Sequence, residues 1–454
     1  MSERLVVIGG DAGGMSAAAQ ARRMRPVDEL EILAFERGSF TSYAACGLPY
    51  LVGGEVDDVE DLVARTPEEF RSSGVDVRTR HEVTGIDTDA RVVSVRDLDA
   101  GTETSVSYDE LLIATGAVPV RPPFPGIDAT GVFDLRTIPD AVALDAMVPD
   151  ARRAVVVGGG YIGLEVAEAF ALRGLAVTVV ELADQPMVTL DADMASSVTE
   201  ALGRLGVEVR LGEGVESFEV GAEGQVTAVV TSAGSVPADV VVVGLGARPN
   251  AALATAAGIP VGDSGGILVD RRQRTPVDHV WAAGDCVESF HRVSRRGVNI
   301  ALGTHANKQG RVAGTNLGGG YATFDGVLGT AITRVGDLEV ARTGLNESEA
   351  DAGGFEFVTS TTTATSRAGY YPGAEPMTVK LVAERGSGRL LGGQIVGGSG
   401  AAKRIDVVAT ALWNEMTVAD MGGMDLAYSP PFSPVWDPVL LAAGRAAGAV
   451  DKAR

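Results

Sequence analysis

Two short glycine clusters, each wedged between a β-branched run and an alanine-rich run, constrain this chain more than any other feature. Arg4 to Ile8 reads as a strand, Gly9 to Gly14 as a turn, Met15 to Met24 as a helix, and Leu30 to Phe35 as a second strand ending at Glu36. The pattern returns about 150 residues later. Ala154 to Val157 leads into Gly158-Gly159-Gly160-Tyr161-Ile162-Gly163, then a helix over Leu164 to Arg173 and a strand over Ala176 to Val180 ending at Glu181. Each βαβ unit offers one helix N-terminus to one pyrophosphate, so two units imply two dinucleotide sites. The expected fold is α/β, with two Rossmann-like dinucleotide-binding domains followed by a C-terminal α+β domain.

The second cluster is a complete G-x-G-x-x-G. Gly158, Gly160 and Gly163 permit the tight turn, the close approach of a pyrophosphate and the packing of the helix, with Tyr161 and Ile162 between them. Glu181 is suited to accept hydrogen bonds from a ribose 2′-hydroxyl and would repel a 2′-phosphate. Leu182 to Gln185 supply no arginine to offset that, so NADH is expected over NADPH. In the first cluster Gly9, Gly10, Gly13 and Gly14 fit, but Asp11 takes the middle glycine position, an awkward place for an acid unless its side chain points away. Glu36, and Asp285 after the turn Ala282-Ala283-Gly284, provide the separated contacts that a flavin dinucleotide needs, so FAD is expected here. Arg37, the turn Thr115-Gly116 and Gly246 complete the expected cofactor-binding set.

Organisation follows from these anchors. A strand over Asp109 to Ala114 precedes a Pro-rich connector, Val118 to Gly126. Strands from Val207 to Val243 close the second unit, and the chain then returns to the first through strands at Ile267 to Val269 and His279 to Trp281. A helix over Asn299 to Leu317 ends at Gly318-Gly319-Gly320. Thr-rich strands, a helix over Lys403 to Asn414 and a Pro-rich tail, Ser429 to Pro438, follow. The expected limits are 1–118 and 245–322 for the FAD-binding domain, 119–244 for the NAD(P)H-binding domain and 323–454 for the C-terminal domain.

Charge and cysteine usage narrow the chemistry. With 38 basic and 60 acidic residues the net charge is −22, which disfavours nucleic acid. No signal peptide and no membrane-length apolar run are evident, so a cytoplasmic location is expected. His81, His279, His291 and His305 never pair at metal-binding spacing, and no metal is expected. The two cysteines, Cys46 and Cys286, are too far apart in sequence to form a Cys-x-x-Cys pair. Cys46 lies in Ser42-Tyr43-Ala44-Ala45-Cys46-Gly47-Leu48-Pro49-Tyr50, where a helix starting near Gly47 would stabilise a thiolate and make it a nucleophile. Cys286 reads as small packing beside the cofactor.

The chain resembles the pyridine nucleotide-disulfide oxidoreductases, and within them the single-cysteine branch typified by coenzyme A-disulfide reductase. The resemblance rests on Cys46 to Tyr50, Gly158 to Gly163, Ala282 to Asp285, Tyr370-Tyr371-Pro372-Gly373, Lys403-Arg404-Ile405-Asp406 and Ala427-Tyr428-Ser429-Pro430-Pro431. It implies a C-terminal dimerisation domain and a homodimer with shared active sites. One cysteine would alternate between thiolate and a mixed disulfide with a small thiol. By the same resemblance Cys46, Tyr370 and Tyr428 are catalytic, the tyrosines reaching in from the other subunit, while Ser16, Gln20, Arg23, Ser42 and His305 match positions that touch coenzyme A. Three positions depart: Ala45 replaces an asparagine of some members, and Gly74 and Trp436 replace basic residues. The expected activity is NADH-dependent reduction of a small disulfide, coenzyme A disulfide or a related persulfide or polysulfide. An NADH oxidase or peroxidase working through a cysteine sulfenic acid is the alternative enzyme, although Ala12 stands where such relatives often carry histidine. A flavin redox sensor or electron-transfer protein is the alternative outside small-molecule catalysis.

Overall fold

The computed structural model describes residues 2–453. Strand Glu3–Ile8 is the middle of a five-stranded parallel sheet in the spatial order Val280–Ala282, Glu110–Ile113, Glu3–Ile8, Leu30–Phe35, Asp76–Arg78. Leu5, Val6 and Val7 are wholly buried because both faces are covered, which explains an unbroken apolar run where a half-exposed strand would alternate. Leu5 and Val7 face helix Ala12–Met24, and Val6 and Ile8 face a three-stranded antiparallel sheet through Val93 and Val95. Helix Gly303–Leu317 lies against Ala12–Met24 with backbones nearly touching. A Cβ on Gly310 would stand 2.2 Å from Gly13 O, and one on Gly314 would stand 2.3 Å from Ala17 O.

The same plan is built a second time. The second parallel sheet runs Glu208–Leu211, Ala176–Glu181, Arg153–Val157, Val240–Val243, Val132–Phe133. Helices Tyr161–Leu172 and Ala192–Arg204 cover one face, and the antiparallel strands Val215–Val220, Val226–Thr231 and Gly234–Pro237 cover the other. Where the chain crosses between the two plans, the outgoing Ala117–Pro119 pairs antiparallel with the returning Ala247–Pro249. The last part is an antiparallel sheet in the order Ala331–Val335, Leu338–Gly344, Leu390–Gly397, Pro376–Glu384, Phe357–Thr365, packed under helices Ala401–Trp413 and Pro438–Ala453. Among the described residues no helix is long and apolar enough to cross a membrane, and no cluster of metal-ligating side chains forms.

Some elements differ from the sequence reading. Ile267 to Val269 is not a strand: Ile267 makes only single bridges, to Val261 and Val287, because Gly265 and Gly266 turn the chain immediately before it. The helix expected from Asn299 begins at Gly303. Helices Ala12–Met24 and Tyr161–Leu172 begin inside the glycine turns, since tight packing there outweighs the low helix propensity of glycine.

An ion cluster built on the buried pair Lys380–Asp191, with the half-exposed Asp193 and Glu347 beside it, joins the second and third parts. Lys380, with a side chain only 4% exposed, reaches Asp191 Oδ2 at 3.1 Å, Asp193 Oδ1 at 2.7 Å and Glu347 Oε1 at 2.8 Å. Gln394 Nε2 donates to Asp191 Oδ2 at 2.7 Å and fixes the same carboxylate. Removing one partner of a buried ion cluster leaves uncompensated charge, at a cost of about 3–5 kcal/mol. Lys380→Met is therefore expected to lower the unfolding free energy by about that amount, read from urea denaturation of the FAD-loaded protein. Loss of less than about 1 kcal/mol would show the cluster to be dispensable.

Candidate active site

Each parallel sheet ends in the same carboxylate clamp. In the first, the Gly10 N–H donates to Glu36 Oε2 at 2.7 Å and the Gly38 N–H to Glu36 Oε1 at 2.6 Å. In the second, the Gly159 N–H donates to Glu181 Oε2 at 2.6 Å and the Ala183 N–H to Glu181 Oε1 at 2.8 Å. These bonds fix each acid at the strand end while leaving lone pairs for the two hydroxyls of a ribose. The glycine turns behind them are closed to side chains. A Cβ on Gly9 would stand 2.1 Å from Ala114 O, and one on Gly158 would stand 2.5 Å from Gly244 O, both glycines having φ above +100°. At Gly160, by contrast, a Cβ would meet nothing within 4 Å, so the turn is open on the side where a pyrophosphate would approach. The second turn thus fits a dinucleotide, and the first differs from it in carrying Asp11 where the second has Gly160.

The crossover residues gather beside the first turn. Thr115 Oγ1 donates to Asn250 O at 2.6 Å, and Gly116 and Gly246 adopt φ of +69° and +88° on either side of the paired connectors. Asp285 follows strand Val280–Ala282, and its Oδ2 accepts from Arg136 Nη2 at 3.0 Å. Arg37 is exposed and faces Glu82 at 3.9 Å.

Asp11 points away from the turn. Its Oδ1 accepts the Tyr43 N–H at 3.2 Å, tying the first glycine turn to the segment that carries the cysteine. Burial, reinforced by Glu36, pushes the Asp11 carboxyl up to about 6. Ser42 N–H donates to Gly10 O at 3.0 Å, a second tie between the same two segments.

Cys46 sits in the 3-10 turn Ala45–Gly47, ahead of helix Leu48–Gly53. The helix starts where the sequence reading puts it, but its end does not dominate the thiol. Cys46 is exposed, and partial desolvation by its surroundings raises its pKa. Glu165 raises it further, Arg136 lowers it, and Asp285 and Asp11 raise it. The expected depression is absent because a six-residue helix competes with three carboxylates. Cys286 is wholly buried, its thiol pushed up to about 11 by burial, with Sγ against Ala283 O at 3.4 Å and Ile113 O at 3.6 Å.

The two tyrosines lie together at the far end of the third part. Tyr370 is 78% and Tyr428 49% exposed, and the two interact with each other. Arg404 holds their loops in place: its Nη2 donates to Ser366 O and Phe432 O, both at 2.8 Å, and its Nε donates to Asp437 Oδ2 at 2.9 Å. Ser16, Gln20 and Arg23 line one side of helix Ala12–Met24, with Ser16 Oγ donating to Asn307 Oδ1 at 2.7 Å and Gln20 Nε2 to Thr315 Oγ1 at 3.1 Å. His305 is half-buried, its Nδ1 3.3 Å from Ile300 O, and burial lowers its pKa.

Family comparison agrees with this geometry. Residues 3–310 match the model of the pyridine nucleotide-disulphide oxidoreductases, and residues 330–438 match the dimerisation domain of the same group. The chain belongs to the pyridine nucleotide-disulphide oxidoreductase family. It is 39% identical over 447 residues to the NAD(P)H sulfur oxidoreductase (CoA-dependent) of Pyrococcus abyssi, covering 98% of each chain. It is 36% identical over 445 residues to the NADH oxidase of Methanocaldococcus jannaschii, covering 97% of this chain and 98% of that one. It is 30% identical over 435 residues to the coenzyme A disulfide reductase of Staphylococcus aureus, covering 95% and 96%. The solved structure of an NAD-dependent persulfide reductase from A. fulgidus superposes with a TM-score of 0.95 at 40% identity, covering 99% of this chain and 84% of that one. The family implies FAD and a nicotinamide dinucleotide as cofactors, and the two clamped glycine turns are shaped for them.

Within this oxidoreductase, two site residues escape a reading of the sequence. Glu165 lies one helical turn after Tyr161, so it projects from the same side of helix Tyr161–Leu172. It accepts from Thr333 Oγ1 at 3.0 Å, and burial raises its own pKa. Arg136 is distant in sequence from every residue it serves. Glu165→Gln removes a negative charge that raises the Cys46 pKa, so the rate of Cys46 alkylation by iodoacetamide is expected to rise at neutral pH, its pH profile moving to lower pH. An unchanged profile would remove Glu165 from the thiol's electrostatics. Buried Cys286 is the internal control.

Proposed function

We propose that this chain is an FAD-dependent NADH oxidoreductase that reduces a low-molecular-weight disulfide, coenzyme A disulfide or a related persulfide or polysulfide, through Cys46 alone. The observation that carries this is the isolation of Cys46. It is the exposed thiol, whereas Cys286 is wholly buried, held protonated and packed against backbone carbonyls. A disulfide cycle here has no second protein sulfur to use, so the mixed disulfide is formed with the substrate.

The electron balance is simple. The Cys46 thiolate attacks one sulfur of the substrate disulfide, forming a Cys46 mixed disulfide and expelling the first thiolate. Two electrons then cleave that bond, regenerating the Cys46 thiolate and releasing the second thiol, for a net NADH + RSSR + H⁺ → NAD⁺ + 2 RSH. FAD, when bound, supplies the relay of the electron pair from nicotinamide to sulfur. Gly9, Gly10, Gly13, Gly14, Glu36, Arg37, Thr115, Gly116 and Asp285 would hold it. Gly158, Gly160, Tyr161, Ile162, Gly163, Glu181 and Gly246 would hold NADH. Arg136 steadies the Cys46 thiolate against its acidic neighbours. The clamped Glu181 carboxylate, with no cation between Leu182 and Pro186, supports NADH over NADPH.

The tyrosines act across a homodimer. Tyr370 and Tyr428 are exposed, held beside each other by Arg404, and placed on the dimerisation domain, which supports their protonating the departing thiolate at the Cys46 of a second copy. Ser16, Gln20, Arg23, Ser42 and His305 position the substrate. The FAD-binding domain takes residues 1–118 and 245–322, the NAD(P)H-binding domain 119–244 and the dimerisation domain 323–454, with the paired connectors at the crossing supporting those limits. A cycle that depends on a free thiol suits the reducing cytoplasm.

Cys46→Ser decides the matter. The variant is expected to bind FAD and to be reduced by NADH while losing at least about a thousandfold in kcat/KM for coenzyme A disulfide, equivalent to roughly 4 kcal/mol of transition-state stabilisation. The unaltered enzyme is expected to prefer NADH to NADPH in the same assay. Undiminished disulfide turnover by the variant would sink the proposal. Oxygen consumption matching NADH consumption and indifferent to added disulfide would establish the oxidase reading instead.

A further inference from the structure

We propose that the dimerisation domain completes the second dinucleotide site: Arg342 and Asn346 are positioning residues that hold residues 186–191, and with them the Thr189 hydroxyl, against the glycine turn that takes NADH. The inference rests on the reading of that turn as the NADH site and is independent of what Cys46 reduces.

Residues 186–191 follow the Glu181 clamp and lie on the turn itself. The Met187 N–H donates to Gly159 O at 2.8 Å, and a Cβ on Gly159 would stand 3.3 Å from Pro186 Cα. Met187 is buried and takes a φ of +49°, in the left-handed region that residues with a side chain avoid. Such a conformation persists only where the surroundings over-determine it. Here the dimerisation domain does so. Thr189 O accepts from Arg342 Nη1 at 3.1 Å and from Asn346 Nδ2 at 3.3 Å. Two residues further on, the Asp191 N–H donates to Gln394 Oε1 at 2.8 Å, and Asp191 Oδ1 accepts the Glu347 N–H at 2.9 Å. Asp191 stands at the N-cap of helix Ala192–Arg204, yet its carboxylate makes no cap bond there and serves the other domain instead.

The two donors are themselves fixed. Arg342 is buried and donates to Glu349 Oε1 at 3.1 Å, to Glu349 Oε2 at 2.6 Å and to Gly344 O at 2.5 Å. Asn346 caps helix Glu347–Ala352 through Oδ1, which accepts the Glu349 N–H at 2.8 Å, and this leaves Nδ2 aimed at Thr189. What the support presents to the site is a pair of hydroxyls. The Tyr161 hydroxyl is buried, with Thr189, Arg342 and Glu349 among the groups that act on it. It and Thr189 Oγ1 face each other without the geometry of a full hydrogen bond, and neither has another partner among the described residues. Buried hydroxyls left unpaired are costly, and a hydroxyl or amide of an incoming dinucleotide that reaches either one removes that cost.

The test is anaerobic stopped-flow reduction of the FAD-loaded enzyme by NADH alone, which gives the NADH dissociation constant from the concentration dependence of the rate with no disulfide present. Asn346→Asp keeps the capping oxygen and removes the donor to Thr189. Thr189→Val keeps the carbonyl and every bond from the dimerisation domain and removes the hydroxyl, so it tests the proposal even where Asn346→Asp fails to fold. Each variant is expected to bind NADH about tenfold more weakly, the worth of one hydrogen bond. The double variant is expected to bind no more weakly than the worse single one, because Asn346 acts through Thr189. Bound-flavin absorbance and the rate of Cys46 alkylation by iodoacetamide are expected to stay unchanged in all three. Equal NADH affinity in the unaltered and variant enzymes would overturn this proposal alone, whereas an unaltered enzyme whose flavin NADH does not reduce would sink the NADH reading with it. Additive losses, or a matching change in the Cys46 rate, would show a general loosening and overturn the positioning role.

Discussion

The structure depends on one close contact made twice. A Cβ on Gly14 would stand 2.0 Å from Gly9 O, and one on Gly163 would stand 2.0 Å from Gly158 O, so in each half the helix is pressed onto the strand it follows. That contact brings the helix N-terminus to the carboxyl edge of the parallel sheet, with its unpaired N–H groups facing outward. It also brings each turn within reach of the acid ending the next strand, Glu36 in the first half and Glu181 in the second. In the first half the consequence extends further. Asp11, at the mouth of the turn, anchors the Tyr43 N–H, so the cysteine segment is registered to the dinucleotide turn by a direct hydrogen bond.

Electrostatics around Cys46 run opposite to those of a permanently activated thiolate. Partial burial, Glu165, Asp285 and Asp11 all favour the neutral thiol, and Arg136 opposes them. A resting thiol is slow to oxidise, because the thiolate is the reactive form. Arg136 also pairs with Asp285, which divides its charge between the two groups. The site is thereby tuned by residues from four separate stretches of chain.

Local chemistry was legible in the sequence where it has a local signature. The glycine turns, the acids at the strand ends and the cysteine before Gly47-Leu48-Pro49 all sit within short windows whose backbone demands name the residue. What was illegible depends on distant partners. Arg136 meets Asp285 across a sequence separation of 149 residues. Arg404 is conspicuous in its motif, but its task of joining two loops through Ser366 and Phe432 appears only in three dimensions. The expected thiolate-stabilising helix illustrates the opposite error: the helix forms at Leu48–Gly53, and carboxylates unseen in the local window outweigh it. Ile267 to Val269 has strand composition but no neighbour in register beyond single bridges.

The most direct test is the intact mass and peptide map of the FAD-loaded enzyme after one equivalent of coenzyme A disulfide, before and after NADH. A single coenzyme A adduct confined to Cys46 and removed by NADH is the result this account predicts. Full turnover with Cys46 never modified, or an adduct that NADH leaves in place, would contradict it.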